Sequence, residues 1–172
     1  MRLSILEQLL VTIAGVILSF LLWFGVEWII KHRRDKKTRI YLHEAIVEEL
    51  RENITLLGSY ADLIERELKK GNMLVFGLKL NVSAMSAAIS SGELRLISDP
   101  EQRRLIRISA DMCKEYNHFI DHNEILLSIL LLKTQPSPLP LATNRLNELK
   151  EYARKLAGFL QGIVDKLAGP KK

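Results

Sequence analysis

Apolar positions along the chain change their spacing twice. From Leu9 to Val26 no residue is charged and nearly every side chain is apolar. From Ile40 onward the apolar positions fall into steps of three and four: Ile40, His43, Val47, Leu50, Ile54, Leu57, Ala61, Ile64 and Leu68. That is heptad a/d spacing, and it predicts a long helix with one continuous seam. Leu42, Ile46, Leu56, Tyr60 and Leu63 widen its apolar face, as expected of a helix with more than one neighbour. Lys69, Lys70 and Gly71-Asn72 then supply a basic last turn and a left-handed stop.

Beyond the apolar stretch Met73–Leu80, Asn81–Ser90 predicts a short helix that Ser91-Gly92 ends. Ser98-Asp99-Pro100-Glu101-Gln102 is a helix start, with an N-cap, proline at the first helical position and an acid in the first turn. The helix it opens is expected to reach about Lys133, with Leu105, Ile108, Met112, Tyr116, Phe119, Leu126 and Leu130 on its core side. Ile125–Leu132 is apolar but too short to cross a bilayer, and reads as a buried helix end. Thr134–Pro140, with three prolines, predicts a loop. A last helix, capped by Thr143 or Asn144, has the seam Leu146, Leu149, Ala153, Leu156, Leu160, Ile163 and Leu167. The expected fold is all-α: one N-terminal transmembrane helix followed by a three- to four-helix antiparallel bundle with coiled-coil-like seams.

The first stretch has the proportions of a membrane span. Its 18 residues cover about 27 Å as a helix, close to the hydrocarbon thickness of a bilayer. Trp23 and Trp28 lie toward its C-terminal end, where indoles favour the headgroup interface. A cleaved signal peptide fits less well, because the apolar run is long and bulky Glu27-Trp28-Ile29-Ile30 stands where cleavage would fall. Charge partition then sets the orientation. Of the chain's net +5, residues 31–39 alone carry +5, from Lys31, Arg33, Arg34, Lys36, Lys37 and Arg39 against Asp35. The positive-inside bias places the C-terminal side in the cytoplasm and the N-terminus outside, in a single-pass cell-membrane topology. The same basic residues suit anionic lipid headgroups. Residues 40–172 are nearly neutral, which argues against a nucleic-acid-binding face. The organisation expected is a span over 1–30, a basic juxtamembrane segment over 31–39 and a cytoplasmic helical domain over 40–172. Nothing in the sequence between Ile30 and Ile40 breaks a helix, yet a kink near Asp35–Thr38 stays open.

Chemistry-bearing patterns are sparse. Glu115-x-x-His118, with His122 one turn on, has the helix spacing of a metal site in a helical bundle. Such centres need a second Glu-x-x-His and a Glu from each of two other helices, and the second motif is absent. Glu44, Glu48, Glu49 and Glu52 fall mostly off the apolar seam, on the side expected to meet water. His43 occupies a seam position, where a polar group can fix register. Cys113 stands alone, so no disulfide forms within the chain. No nucleophile elbow, Walker A or H-E-x-x-H motif occurs, and no catalytic residue or cofactor is expected. Gly15-x-x-x-Ser19 is a small-xxx-small pattern that lets two spans approach, so a homo-oligomer is compatible with the sequence.

With Glu48-Glu49-Leu50-Arg51-Glu52-Asn53, Ser91-Gly92-Glu93-Leu94-Arg95-Leu96 and Asp99-Pro100, the layout resembles that of prokaryotic single-pass membrane proteins with a helical cytosolic domain. That resemblance implies a fold and transfers no activity, ligand or site. The functional expectation is a membrane-anchored, non-catalytic helical interaction module that docks a protein partner or a second copy. An oligomeric pore lined by Thr12, Ser19 and Glu27 is the second reading, and a metal-binding bundle enzyme the third.

Overall fold

The computed structural model describes residues 5–71, 77–132 and 139–168. Among them the chain is all-helical and contains no strand. Helix α1 spans Ile5–Lys69, α2 Ser83–Ser90, α3 Pro100–Leu132 and α4 Leu139–Ala168, with a 3-10 turn at Glu93–Leu96. The chain divides into two compact units, Met1–Tyr41 and Leu42–Lys172.

In the first unit α1 is helical through 31–39 without interruption. An 18-residue window near its N-terminus has a mean hydropathy of 2.1, and none of it is buried. Among the described residues, one helix is therefore long and apolar enough to cross a membrane. Its large side chains stand open, from Ile13 at 48 % to Val16 at 64 % exposed.

The second unit holds the core. All seven expected seam residues of α4 are buried, as are Val47, Leu50, Leu57, Ala61 and Ile64 of α1. Ile40 and Leu63 are exposed, and His43 and Ile54 are half-buried. The buried face of α1 is centred instead on Ile46, Leu50, Leu57, Tyr60 and Ile64. On α3, Leu105 and Tyr116 are buried as expected, while Ile108, Met112, Phe119 and Leu126 are half-buried. The deepest line is Ile106, Ser109, Ala110, Cys113, Tyr116 and Ile120. Small residues on that line let neighbouring backbones come close, which hydropathy does not register. Ile125 is 60 % exposed, which corrects the expectation of a buried end beginning there; Leu130 lies outside the residues whose side chains are described.

The ends follow local chemistry. Asp99 caps α3: its Oδ1 accepts from the Glu101 N–H at 2.9 Å, and its carbonyl from the Arg103 N–H at 3.2 Å. Gly71 and Gly92 adopt φ of 77° and 74°, the left-handed conformation that ends a helix most readily at glycine. Helix α4 starts at Leu139, four residues before the expected cap at Thr143. Pro140 fits that first turn because its missing N–H would have had no helical acceptor. The remainder of the expected loop, 134–138, lies outside the described residues, as do Asn72 and the stretch Met73–Phe76.

On the surface Arg154 of α4 reaches Glu65 of α1 at 2.6 Å, and Lys69 reaches the same carboxylate at 3.0 Å. The hydrogen bonds from Lys69 and Arg154, with their charges, lower the Glu65 pKa from 4.5 to about 2. A carboxyl depressed in the folded state stabilises above its unfolded pKa and loses that contribution as pH falls through the folded value. The stability difference between the wild-type chain and Glu65→Gln is therefore expected to be constant from neutral pH down to about 4.5 and to vanish toward pH 2. Denaturant titrations across that range measure it; because the site is exposed, the effect is small.

Candidate functional site

Two features carry the polar detail of this chain, one in each unit. In the second unit the connector 77–82, between α1 and α2, is gripped by side chains of α1 and α3. Asn53 of α1 meets Asn81 on both backbone groups: its Nδ2 donates to the carbonyl at 2.6 Å, and its Oδ1 accepts from the N–H at 2.9 Å. Asn117 of α3 treats Leu80 in the same way, accepting from its N–H at 2.7 Å and donating to its carbonyl at 3.0 Å. Each amide thus exchanges two bonds with one residue, as a neighbouring strand would. Because carboxamides supply one donor and one acceptor in a plane, asparagine suits both positions.

Acidic residues secure the two ends. The Gly77 N–H donates to Glu124 Oε1 at 2.7 Å, and Lys79 pairs with Asp121 at 2.8 Å. At the other end, Glu49 of α1 lies only 4 % exposed at the N-terminus of α2. Its carboxylate accepts from the Ala84 N–H at 2.7 Å, the Met85 N–H at 3.1 Å and the Ser83 hydroxyl at 3.1 Å. The Ser83 N–H goes to Asn81 Oδ1 at 3.0 Å, and the Ser86 N–H to the Val82 carbonyl at 2.9 Å. The Ser83, Ala84 and Met85 amides, which the helix start leaves without helical acceptors, are therefore satisfied, and a carboxylate meets the positive end of the helix dipole. This corrects the expectation that Glu49 faces water: its acceptors are used by α2.

Cys113 lies fully buried beside this clamp, its Sγ 3.9 Å from Asn53 Nδ2. Burial, with a smaller contribution from the Glu49 charge, pushes its thiol up to about 12. The thiolate is the reactive form, so iodoacetamide at pH 8 is expected to leave Cys113 unmodified until the domain opens. Intact-mass analysis with and without denaturant checks this; rapid labelling of the folded chain would contradict the burial. Burial also raises Tyr60 to about 12, and Tyr116 upward. Neither hydroxyl has a hydrogen-bond partner among the described residues.

The Glu-x-x-His spacing on α3 gathers no further ligands among the described residues. Glu115, His118 and His122 are all exposed on α3, and no group of three His, Cys, Asp or Glu side chains among the described residues is placed to hold an ion.

In the first unit Trp23 and Trp28 are 60 % and 63 % exposed. Trp28 stacks on His32 with ring centres 5.6 Å apart. Lys31, Arg33, Arg34, Lys36, Lys37 and Arg39 are all exposed. Gly15 has open space where a Cβ would sit, and the Ser19 hydroxyl donates to the Gly15 carbonyl at 2.8 Å. That bond satisfies the hydroxyl within its own helix. Comparison with known proteins gives no match to a family model, to a curated protein or to a solved structure.

The clamp was missed in the sequence, though one signal was there. Ile46, Asn53 and Tyr60 recur every seven residues on α1, as do Ile106, Cys113 and Ile120 on α3. Asn53 interrupts an apolar stripe, where a polar side chain needs a partner.

Proposed function

We propose that this chain is a membrane-anchored helical interaction module, in which the start of α1 spans a bilayer and residues 42–172 form a cytoplasmic bundle that docks a protein partner or a second copy. The observation that carries the reading is the uncovered apolar window of α1, with mean hydropathy 2.1 and none of it buried. Leaving so much apolar surface in water is unfavourable at about 25 cal/mol per Å², whereas lipid accommodates it. The six basic residues that follow favour a cytoplasmic C-terminal side and an N-terminus outside.

Within the bundle, connector residues of rising number meet partners of falling number: Gly77 with Glu124, Lys79 with Asp121 and Leu80 with Asn117 on α3. On α1, Asn81 meets Asn53, and the start of α2 meets Glu49. This supports a connector that returns along the unit, so that α1 and α3 run the same way. Helix α4 packs beside α3, and their closeness in sequence favours antiparallel neighbours. Clamping the connector keeps the bundle rigid, and a rigid surface loses less entropy on docking.

Cross-linking the full-length chain in intact membranes tests the reading. The expected result is a discrete adduct of fixed stoichiometry, with itself or with one partner. A chain that stays alone and monomeric at native abundance contradicts it.

A further inference from the structure

Because α1 stays helical through 31–39, its run of charge becomes a ring. At 3.6 residues per turn, Lys31, Arg33, Arg34, Lys36, Lys37 and Arg39 point in six directions with no gap wider than about 80°. All six are exposed, and none takes part in an ion pair among the described residues. A protein or nucleic-acid partner approaches a helix from one side and would leave about half of such a ring unmet. A headgroup layer surrounds the helix and meets all of it.

The ring begins directly after the apolar window, one turn beyond Trp28. Its axial length is about 13 Å, longer than one headgroup layer, but the flexible stems of Lys36, Lys37 and Arg39 can reach back along the helix toward it.

We propose that this collar binds a shell of anionic phospholipid headgroups, of the phosphatidylglycerol type, around α1. The proposal rests on the membrane-anchored reading and adds to it a lipid preference set by the collar. The chemistry is charge attraction to phosphate without bond making, with arginine adding paired hydrogen bonds to phosphate oxygens.

The chain's two tryptophans make the test direct, since both lie just before the collar. Full-length protein is placed in phosphatidylcholine bilayers in which an equal fraction of lipid is either brominated phosphatidylglycerol or brominated phosphatidylcholine. The bromine sits near the glycerol end of the acyl chains. Tryptophan quenching is expected to be stronger with the anionic lipid, corresponding to a preference on the order of fivefold. That preference should fall away at about 1 M salt, where the screening length is about 3 Å. It should also weaken stepwise in Lys31→Gln/Arg34→Gln and Arg33→Gln/Lys37→Gln. The salt arm uses the unaltered chain and so stands even if a variant inserts poorly.

Equal quenching by both lipids overturns the proposal, as does a preference that survives the substitutions. Cross-links from the collar to an acidic protein, without lipid preference, replace it with a protein site. If neither lipid quenches, the anchoring itself is wrong, and the two failures are told apart.

Discussion

Asn53→Ala is expected to cost the unit Leu42–Lys172 about 2–4 kcal/mol, from two lost hydrogen bonds and the cavity left at a fully buried position. Both bonds go to Asn81, so the variant frees one side of the connector while Asn117 still holds the other. Asn53→Asp is nearly the same shape and should do worse than its size suggests. It loses the donor to the Asn81 carbonyl and buries a second carboxylate one helical turn from Glu49. Because Glu49 and Asn53 hold the same segment, Glu49→Gln/Asn53→Ala should cost less than the sum of the single changes. Denaturant dependence of Cys113 alkylation reports all four variants without interference from the apolar start of α1, since the thiol is reached only when the domain opens. Unchanged labelling midpoints would show that the connector contributes nothing to stability.

Gly77→Ala is the second large effect. A Cβ at that position would overlap the Ile120 side chain and crowd the Glu124 carboxylate at 2.8 Å. Glu124 is the acceptor of the Gly77 N–H, so it cannot move away without giving up that bond. Overpacking of this kind costs about 1–3 kcal/mol. Trimming the obstruction should recover part of it: adding Gly77→Ala to Ile120→Ala is expected to cost much less than adding it to the wild-type chain. The same alkylation midpoints measure this. A Gly77→Ala chain as stable as the wild type would mean that the connector does not lie against α3 as described.

These two sites mark the boundary of what could be read in advance. Helix existence and most seam positions follow from apolar spacing, and all seven seam positions of α4 do so because each is Leu, Ile or Ala; Ala142 and Val164 join them in the core. The Asp99-Pro100 start and the Gly71 stop were legible for a similar reason: each is decided by its own few residues. The start of α4 was less so, because Pro140 marks a loop and a helix's first turn equally well.

Glu49, Asn53 and Asn117 were not legible. Their partners lie 28 to 37 residues away in sequence, and a polar residue on a helix reads as solvated until the segment that covers it is known. Glu49 and Asn53 sit within the Glu48–Asn53 segment, so that segment serves the fold. Glu115, His118 and His122 share a face by spacing, but the face is open to water and, among the described residues, no other helix brings ligands to it.

Residence in a membrane underlies both the anchored reading and the lipid collar. Membranes containing the full-length protein, washed at alkaline pH with carbonate, should retain it in the pellet until detergent is added. Its intact mass should still include residues 1–30. Recovery in the carbonate supernatant, or a mature chain that begins after Trp28, would contradict it.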